Sequence, residues 1–379
     1  MRLVKLPAQR LEPGMFIAEL DRPWLETPFA LQGFVVRDAE EIQYVSNYVE
    51  HVYVDAEYTG ARQPLTLAVA PAESKPVMRL ELKAEFKRIK NAAETLDTLF
   101  LALRSGESAD LRAVQDVLNP LLDGVFRNQE AVAALLRLKD SGEYRPHHGV
   151  SMAVWAAILG RQVGLDRIEL ERLAVACALC DVGMTENLTD TQRRIIRAHP
   201  SMGASLVAQI ENMDDEILAI IENHHERLNG SGYPRGIGGA EIPLLARIAG
   251  LVDTYDAMIT PRPYAKARTS HEACLELLDC SGHQFQDALV EQFVQAIGLF
   301  PTGSMVELNT GEVAIVVSQS PTRRLKPELV IVLNGAKARR TIPRLVDLTD
   351  QCIAAEGERW IVRELHAGTY GISSEEFFI

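Results

Sequence analysis

The sequence lacks long apolar runs, has few cysteines and carries no excess of positive charge. No stretch approaches the ~18 uninterrupted apolar residues that a membrane-spanning helix needs, and the first ten residues lack the apolar core of a secretory signal. Five cysteines among 379 residues are an odd number and too sparse for a disulfide framework. The 39 Lys and Arg against 52 Asp and Glu give a net charge of −13, which repels nucleic acid. We therefore expect a cytoplasmic protein that neither spans a membrane nor binds nucleic acid.

The composition and the hydrophobic pattern predict a mainly helical protein with a small β-rich unit at each end. Short β-branched and aromatic runs predict an N-terminal β-rich domain over residues 1–60. Three prolines mark residues 61–77 as a linker. Apolar residues at steps of three and four then predict connecting helices over 78–139, with separate runs at about 109–122 and 128–139, and a helical domain over 140–298. Strand-like runs return in a C-terminal β-rich extension, 299–379.

Histidine is scarce, yet five of the nine histidines lie between residues 147 and 225. They are His147, His148, His199, His224 and His225. Imidazole and carboxylate groups that converge from several helices form a site typical of divalent metal ions. A pair of such ions suits phosphate-ester cleavage, because the ions neutralise phosphoryl oxygens and generate a hydroxide nucleophile. Asp253 is a candidate ligand because it lies in an apolar helix, where an acid is uncommon unless it is paired or bound to metal.

The histidines also have ordinary structural interpretations. His224 and His225 are neighbours, so their side chains point about 100° apart on a regular helix, and both can face one point only near a helix end. The pair is equally typical of a surface helix. Taken singly, His199 is typical of a surface or capping histidine.

The stretch that begins with the paired histidines is a more specific signal. It runs His224-His-Glu-Arg-Leu-Asn-Gly-Ser-Gly-Tyr-Pro-Arg-Gly236, and it places metal-capable side chains before a glycine-rich loop whose backbone can approach a ligand. It is not a zinc-protease helix, because Asn229 stands where the second histidine is required. It is not a dinucleotide-binding loop, because Arg235 stands where a third glycine is required.

These motifs resemble those of the HD-GYP family, bacterial phosphodiesterases that hydrolyse cyclic di-GMP. The resemblance covers residues 140–300 and follows the family order. The matching residues are Glu143-Tyr144, His148, Asp181-Val-Gly183, His199, the stretch from His224, Asp253-Thr-Tyr-Asp-Ala257 and Arg262-Pro-Tyr264. Residues 1–60 resemble a β domain of unknown function that often precedes this family's domain. The β-rich tail is similar to the family's C-terminal extension.

The resemblance implies an HD-domain helical bundle that holds two divalent metal ions, usually iron or manganese. One ion would take His199, His224 and His225, and the other His148 and Asp253. Asp181 would bridge the ions as the catalytic carboxylate. Tyr144 stands where members with a third ion carry glutamate, so no third ion is expected. The implied substrate-binding residues are Gly232, Tyr233, Pro234, Arg262 and Lys266, whereas Arg193, Arg194 and Arg197 are interpreted as helix surface.

The sequence departs from the family at the doublet that gives the family its name. The pattern His-Asp-(Ile/Val)-Gly-Lys is here Cys180-Asp-Val-Gly-Met184. Cys180 can still bind a metal as a thiolate, and this ligand favours zinc. With Met184 a charge-assisted phosphate contact is missing, worth ~1–3 kcal/mol. Cys177 and Cys180, three residues apart, are interpreted as core residues rather than a redox pair, apart from the ligand role of Cys180.

Two functional hypotheses remain. The first is a metal-dependent phosphodiesterase of bacterial second-messenger signalling that opens cyclic di-GMP to pGpG or GMP, with reduced activity. The second is a catalytically degenerate member that senses cyclic di-GMP or docks protein partners, such as GGDEF-domain proteins, through the Gly-Tyr-Pro loop. A homodimer is open under both hypotheses. The retained ligands favour the first hypothesis, and Cys180 and Met184 favour the second.

Overall fold

The computed structural model describes residues 3–21, 34–36, 39–46, 49–55, 75–137, 144–184, 193–261, 266–319, 325–349 and 359–372. The chain divides into two compact units, Met1–Ser74 and Lys75–Ile379. Within the described ranges, no helix combines the length and the apolar character that crossing a membrane requires. Most of the predicted linker, residues 61–74, lies outside these ranges.

The first unit contains the predicted β-rich domain. Its antiparallel sheet has the strand order β1-β4-β2-β3. The strands are β1 (Leu3–Pro7), β2 (Phe16–Leu20), β3 (Phe34–Val35) and β4 (His51–Asp55), and the helix α1 is Ala39–Ser46. Val52 and Val54 point to one face of β4 and are buried with Ile17, as the two-residue period of a strand requires. The sequence reading did not predict α1.

The second unit is built around a helical bundle, as predicted. Its helices are α2 (Lys75–Ser105), α3 (Leu111–Arg137), α4 (Tyr144–Val163), α5 (Arg167–Leu179), α6 (Arg193–Val207), α7 (Asp215–Asn223), α8 (Leu244–Ile259), α9 (Ser270–Asp279) and α10 (Asp287–Ile297). Every residue from 148 to 160 is buried, because α4 packs against α2, α3, α5, α8 and α10. A helix buried on all sides belongs at the centre of a bundle.

The long helix α3 is kinked at Asn128, where the sequence pattern separates two predicted helices. The backbone of Asn128 is not helical, and its side-chain oxygen accepts a hydrogen bond from the Ala131 N–H at 3.1 Å. A side-chain oxygen in this position satisfies a free N–H at the start of a helix. Asn128 therefore begins the second half of α3.

The predicted C-terminal extension is an antiparallel sheet with the strand order β8-β7-β6-β5-β9. Its strands are β5 (Met305–Leu308), β6 (Val313–Ser318), β7 (Glu328–Leu333), β8 (Arg339–Asp347) and β9 (Ile361–Leu365). A buried ion pair joins β9 to the end of α3, with Arg137 Nη2 at 2.7 Å from Glu364 Oε1. The other oxygen of Glu364 accepts from the backbone N–H of His271, on α9, at 2.8 Å. The sheet is therefore part of the helical unit.

Candidate metal centre

Side chains from five segments of the helical unit meet at one place. Residues on α4, α6 and α8 and at the ends of α5 and α7 supply them. They are His148 on α4, Asp181 just after α5, His199 on α6, His224 and His225 just after α7, and Asp253 on α8. The sequence places these residues far apart, so only the packing of the bundle brings them together.

Three imidazoles form the tightest group. The ligand atoms of His199, His224 and His225 all lie within 4.8 Å of one another, and His199 Nε2 is 3.3 Å from His224 Nε2. The helix α7 ends at Asn223, so the two neighbouring histidines can turn towards one point. His224 Nδ1 lies 2.7 Å from the Ile221 carbonyl, and donation there leaves the Nε2 lone pair facing the group. Burial and the neighbouring His225 and His199 lower the pKa of His224 well below its usual value, which suits a neutral ligand.

Two carboxylates connect this group to His148. Asp181 Oδ1 lies 3.5 Å from His199 Nε2, and Asp181 Oδ2 lies 4.0 Å from His148 Nε2. Asp253 Oδ1 lies 3.0 Å from His148 Nε2, and Asp253 Oδ2 lies 3.5 Å from His225 Nδ1. Each carboxylate therefore has one oxygen towards each side of the site.

Asp256 completes the site and was not among the predicted site residues. Its Oδ2 lies 2.7 Å from His148 Nδ1, and its Oδ1 accepts from Trp155 Nε1 at 3.0 Å. It is fully buried. A carboxylate behind a ligating histidine fixes the ring orientation and its tautomer. The signal in the sequence is the three-residue spacing of Asp253 and Asp256, which puts both on one side of α8.

The charges around His148 oppose the cost of burying it. Burial favours the neutral imidazole, but hydrogen bonds with Asp253 and Asp256 outweigh it and raise the pKa of His148 to about 10. Burial likewise favours a protonated Asp253, and the hydrogen bond with His148 reverses this and lowers the pKa of Asp253 to about 2. These shifts favour a charged pair of His148 and Asp253 when no metal is bound. A divalent ion held by His148 and Asp253 would need this imidazole in its neutral form.

The predicted Gly-Tyr-Pro loop lies directly against the histidines. The ring of Tyr233 stacks on the ring of His225, with centroids 4.6 Å apart, and the Tyr233 N–H donates to the His225 carbonyl at 3.2 Å. A Cβ at Gly232 would lie 2.4 Å from that carbonyl oxygen, so no other residue fits without displacing the loop. Glu226 holds the far side of the loop, because its Oε1 accepts from the N–H groups of Arg235 and Gly236 at 2.7 and 3.1 Å.

The basic side chains near the site differ in their exposure and in what they contact. Arg262 lies outside the described residues, and so does the side chain of His147. Lys266 is exposed after α8 and makes no hydrogen bond or ion pair within the part of the chain that the structure describes. Arg197, interpreted from the sequence as helix surface, is exposed, but its Cζ lies 5.6 Å from the centroid of the Tyr233 ring.

Cys180 lies next to Asp181 but outside the imidazole group. It is free, it follows α5 directly, and it is buried in the core with Cys177. Burial, with the charges of Cys177, Asp181 and Asp253, raises the pKa of the Cys180 thiol well above its usual value. In the metal-free protein it is therefore a thiol. Met184 ends the same turn, and its N–H donates to the Asp181 carbonyl at 2.9 Å.

Comparison with known proteins places this site in a known domain. Residues 127–289 match the model of the HD domain, and residues 3–114 match a domain of unknown function, DUF3391, so this second match extends beyond the β-rich unit through α2. The chain is 28% identical to the cyclic di-GMP phosphodiesterase PA4108 of Pseudomonas aeruginosa, over 96% of this chain and 94% of that protein. It is 30% identical to the cyclic di-GMP phosphodiesterase response regulator RpfG of Xanthomonas campestris pv. campestris, over 61% and 64%. Among solved structures, Bd1817, a HDG"Y"P protein from Bdellovibrio bacteriovorus, matches 77% of this chain and 98% of its own with 15% identity and a TM-score of 0.48.

Proposed function

We propose that the chain, whose residues 127–289 match the HD domain, is a metal-dependent phosphodiesterase that hydrolyses cyclic di-GMP to pGpG or GMP in bacterial second-messenger signalling. The observation that carries this proposal is the convergence of three imidazoles, a fourth imidazole and two carboxylates from five segments of the bundle. The names of the relatives supply the substrate.

The donor atoms fit two divalent transition-metal ions. Imidazole nitrogens and carboxylate oxygens are the ligands that zinc, iron and manganese take in such sites. His199, His224 and His225 would hold one ion and His148 with Asp253 the other, and Asp181 would contact both. When bound, the ions neutralise the phosphoryl oxygens and generate a hydroxide nucleophile at neutral pH.

The chain's own residues hold this arrangement. Asp256 orients His148 so that Nε2 faces Asp253. The ring of Tyr233 stacks on the ring of His225. The reaction adds one water across a phosphodiester bond, so that the phosphate keeps the new P–O bond and the sugar oxygen leaves with the proton. One such step gives pGpG, and a second gives two GMP.

A second candidate function is a sensor that binds cyclic di-GMP without cleaving it. The buried Cys180 favours this candidate, because a thiol whose pKa is raised by burial ligates metal only after it loses a proton at a cost. Met184 also offers no charge to a phosphate. The same features favour zinc if Cys180 does ligate, since a thiolate is a soft ligand.

The test is turnover of cyclic di-GMP by the full chain, loaded anaerobically with Fe²⁺, Mn²⁺ or Zn²⁺ in turn. We expect pGpG to form with at least one metal, and both metal content and turnover to fall in Asp181→Ala. Asp116→Ala is the matched control, because Asp116 is an exposed aspartate on α3. Binding without turnover under every metal would support the sensor. Equal metal content in Asp181→Ala and wild type would refute the site assignment.

A further inference from the structure

Arg197 places a positive charge at the surface beside the candidate metal centre. It precedes the ligand His199 by two residues on α6, and its Cζ lies 5.6 Å from the centroid of the Tyr233 ring. The Tyr233 ring also stacks on the ring of His225, with the two centroids 4.6 Å apart. Three side chains thus form a series from the surface to the ligand group: the guanidinium of Arg197, the phenol ring of Tyr233 and the imidazole of His225.

A guanidinium over an aromatic ring is held by cation–π attraction, which uses the face of the cation. The N–H donors of arginine lie in the plane of that group and match two oxygens of a phosphate. The attraction to the Tyr233 ring therefore favours positions of Arg197 over that ring and leaves its N–H donors available to an anion. An exposed lysine has no such planar group and is less ordered before it binds.

Other arginines near the site are engaged with the protein. Arg227 donates to the His224 and Glu226 carbonyls and to Thr254 Oγ1. Arg235 donates to Asn223 Oδ1 at 2.7 Å, and Arg268 pairs with Glu276. In the described part of the chain, Arg197 is exposed and has no carboxylate partner.

From this geometry we infer that Arg197 is a substrate-binding residue that contacts a phosphate of the cyclic dinucleotide, held in place by Tyr233. This inference rests on the proposed function. It supplies the charged phosphate contact that Met184 cannot make, from α6 instead of from the turn after α5. The ligand class is a phosphodiester anion.

The test compares Arg197→Gln with wild type in the full, metal-loaded chain. We expect Kd and KM for cyclic di-GMP to rise about tenfold, with kcat changed less than twofold. The slope of log Kd against log salt should fall by about one, because one phosphate contact is lost. Metal content and Tm should equal those of wild type. Arg112→Gln, an exposed arginine on α3, is the matched control and should change none of these values.

The variant Arg197→Lys tests whether the planar shape of the guanidinium contributes to binding in addition to its charge. It should recover part of the lost affinity and the wild-type salt slope, because it keeps the charge but loses the stacked fork. A metal content that falls together with affinity in Arg197→Gln would overturn the inference, since the residue would then act through the ligands.

The outcomes distinguish this inference from the proposed function. Wild type that binds or cleaves cyclic di-GMP, with an unchanged Kd in Arg197→Gln, would overturn the role of Arg197 and leave the function standing. Wild type that neither binds nor cleaves it would overturn both. A tenfold loss of affinity with an unchanged kcat and metal content would support both.

Discussion

Asp256 acts on the metal centre through a single histidine. It contacts His148 Nδ1 and Trp155 Nε1 and is fully buried. Because its two oxygens are both engaged, it fixes the position of the imidazole as well as its tautomer. The candidate ligand His148 therefore depends on a residue outside the candidate ligand set.

Replacing this carboxylate should weaken metal binding. In Asp256→Asn the Trp155 contact can persist, but the charged acceptor of His148 Nδ1 is lost. We expect metal affinity to fall about 10- to 100-fold, measured by competition with a fluorescent chelator. Asp279→Asn, an exposed aspartate at the end of α9, is the control. Wild-type affinity in Asp256→Asn would show that His148 needs no orienting partner.

The departures at Cys180 and Met184 should limit turnover. In the double variant Cys180→His with Met184→Lys, an imidazole replaces a buried thiol and an ammonium replaces a thioether. We expect turnover of cyclic di-GMP to rise and the preferred metal to change from zinc towards iron or manganese. Rates are measured with each metal supplied in turn. An unchanged rate would mean that neither position limits activity.

At the scale of residues, the sequence identifies the converging histidines and aspartates better than the residues that support them. His148, His199 and the paired histidines belong to an ordered motif, so their types and spacing identify them. Asp256 and Arg197 look like ordinary polar residues of helices. Their roles depend on which side chains the bundle places opposite them, His148 in one case and Tyr233 in the other, and no local pattern contains that information.

At the scale of elements, the site depends on close approach between helices. The start of the loop after α7 touches α8 at Gly250, where a Cβ would lie 2.4 Å from the His224 carbonyl oxygen. By contrast, a Cβ at Gly203 on α6 would make only ordinary contacts, the nearest at 3.4 Å. Both glycines lie inside helices, so replacing either with alanine has the same effect on helix propensity. A difference in stability between the two variants therefore reports packing.

Gly250→Ala should therefore destabilise the protein while Gly203→Ala should not. We expect Gly250→Ala to lower the free energy of unfolding by ~1–3 kcal/mol through overpacking, and to lower metal affinity because His224 is displaced. Gly203→Ala should leave stability unchanged or raise it by up to about 1 kcal/mol. Urea unfolding measures both. Equal stability of the two variants would show that the approach of α8 to His224 is not constrained.

The elements that the sequence reading missed have weak local signals. The helix α1 has only eight residues, too few for a clear helical period. The strand β8 contains arginines, a threonine and a proline, and as an edge strand it needs only one neighbour. The long buried helices, by contrast, follow their apolar pattern closely, and the kink at Asn128 falls between two predicted helices.

At the scale of the whole molecule, a buried ion pair joins the C-terminal sheet to the helical bundle. Arg137 and Glu364 have side chains that are 13% and 2% exposed. Arg137 also donates to Ser304 Oγ and to the Pro301 carbonyl. Glu364 also accepts a hydrogen bond from the His271 N–H. Its carboxylate therefore connects three elements of the unit, α3, α9 and β9.

Loss of Glu364 should therefore be costly. Glu364→Ala leaves the Arg137 guanidinium buried without its charge partner, which costs ~3–5 kcal/mol in comparable pairs. We expect the free energy of urea unfolding to fall by about that amount. Asp123→Ala, which breaks an exposed pair with Arg167, should cost no more than about 1 kcal/mol. Similar values for the two variants would show that the sheet is not held by this pair.

The central claim is that the converging histidines and aspartates form a working phosphodiesterase site. The most direct measurement is formation of pGpG from cyclic di-GMP in a single turnover, with the metal-loaded chain in excess over substrate. We predict one product per substrate in wild type and none in Asp181→Ala. Intact cyclic di-GMP after incubation with every metal, in protein shown to contain two ions, would contradict the claim.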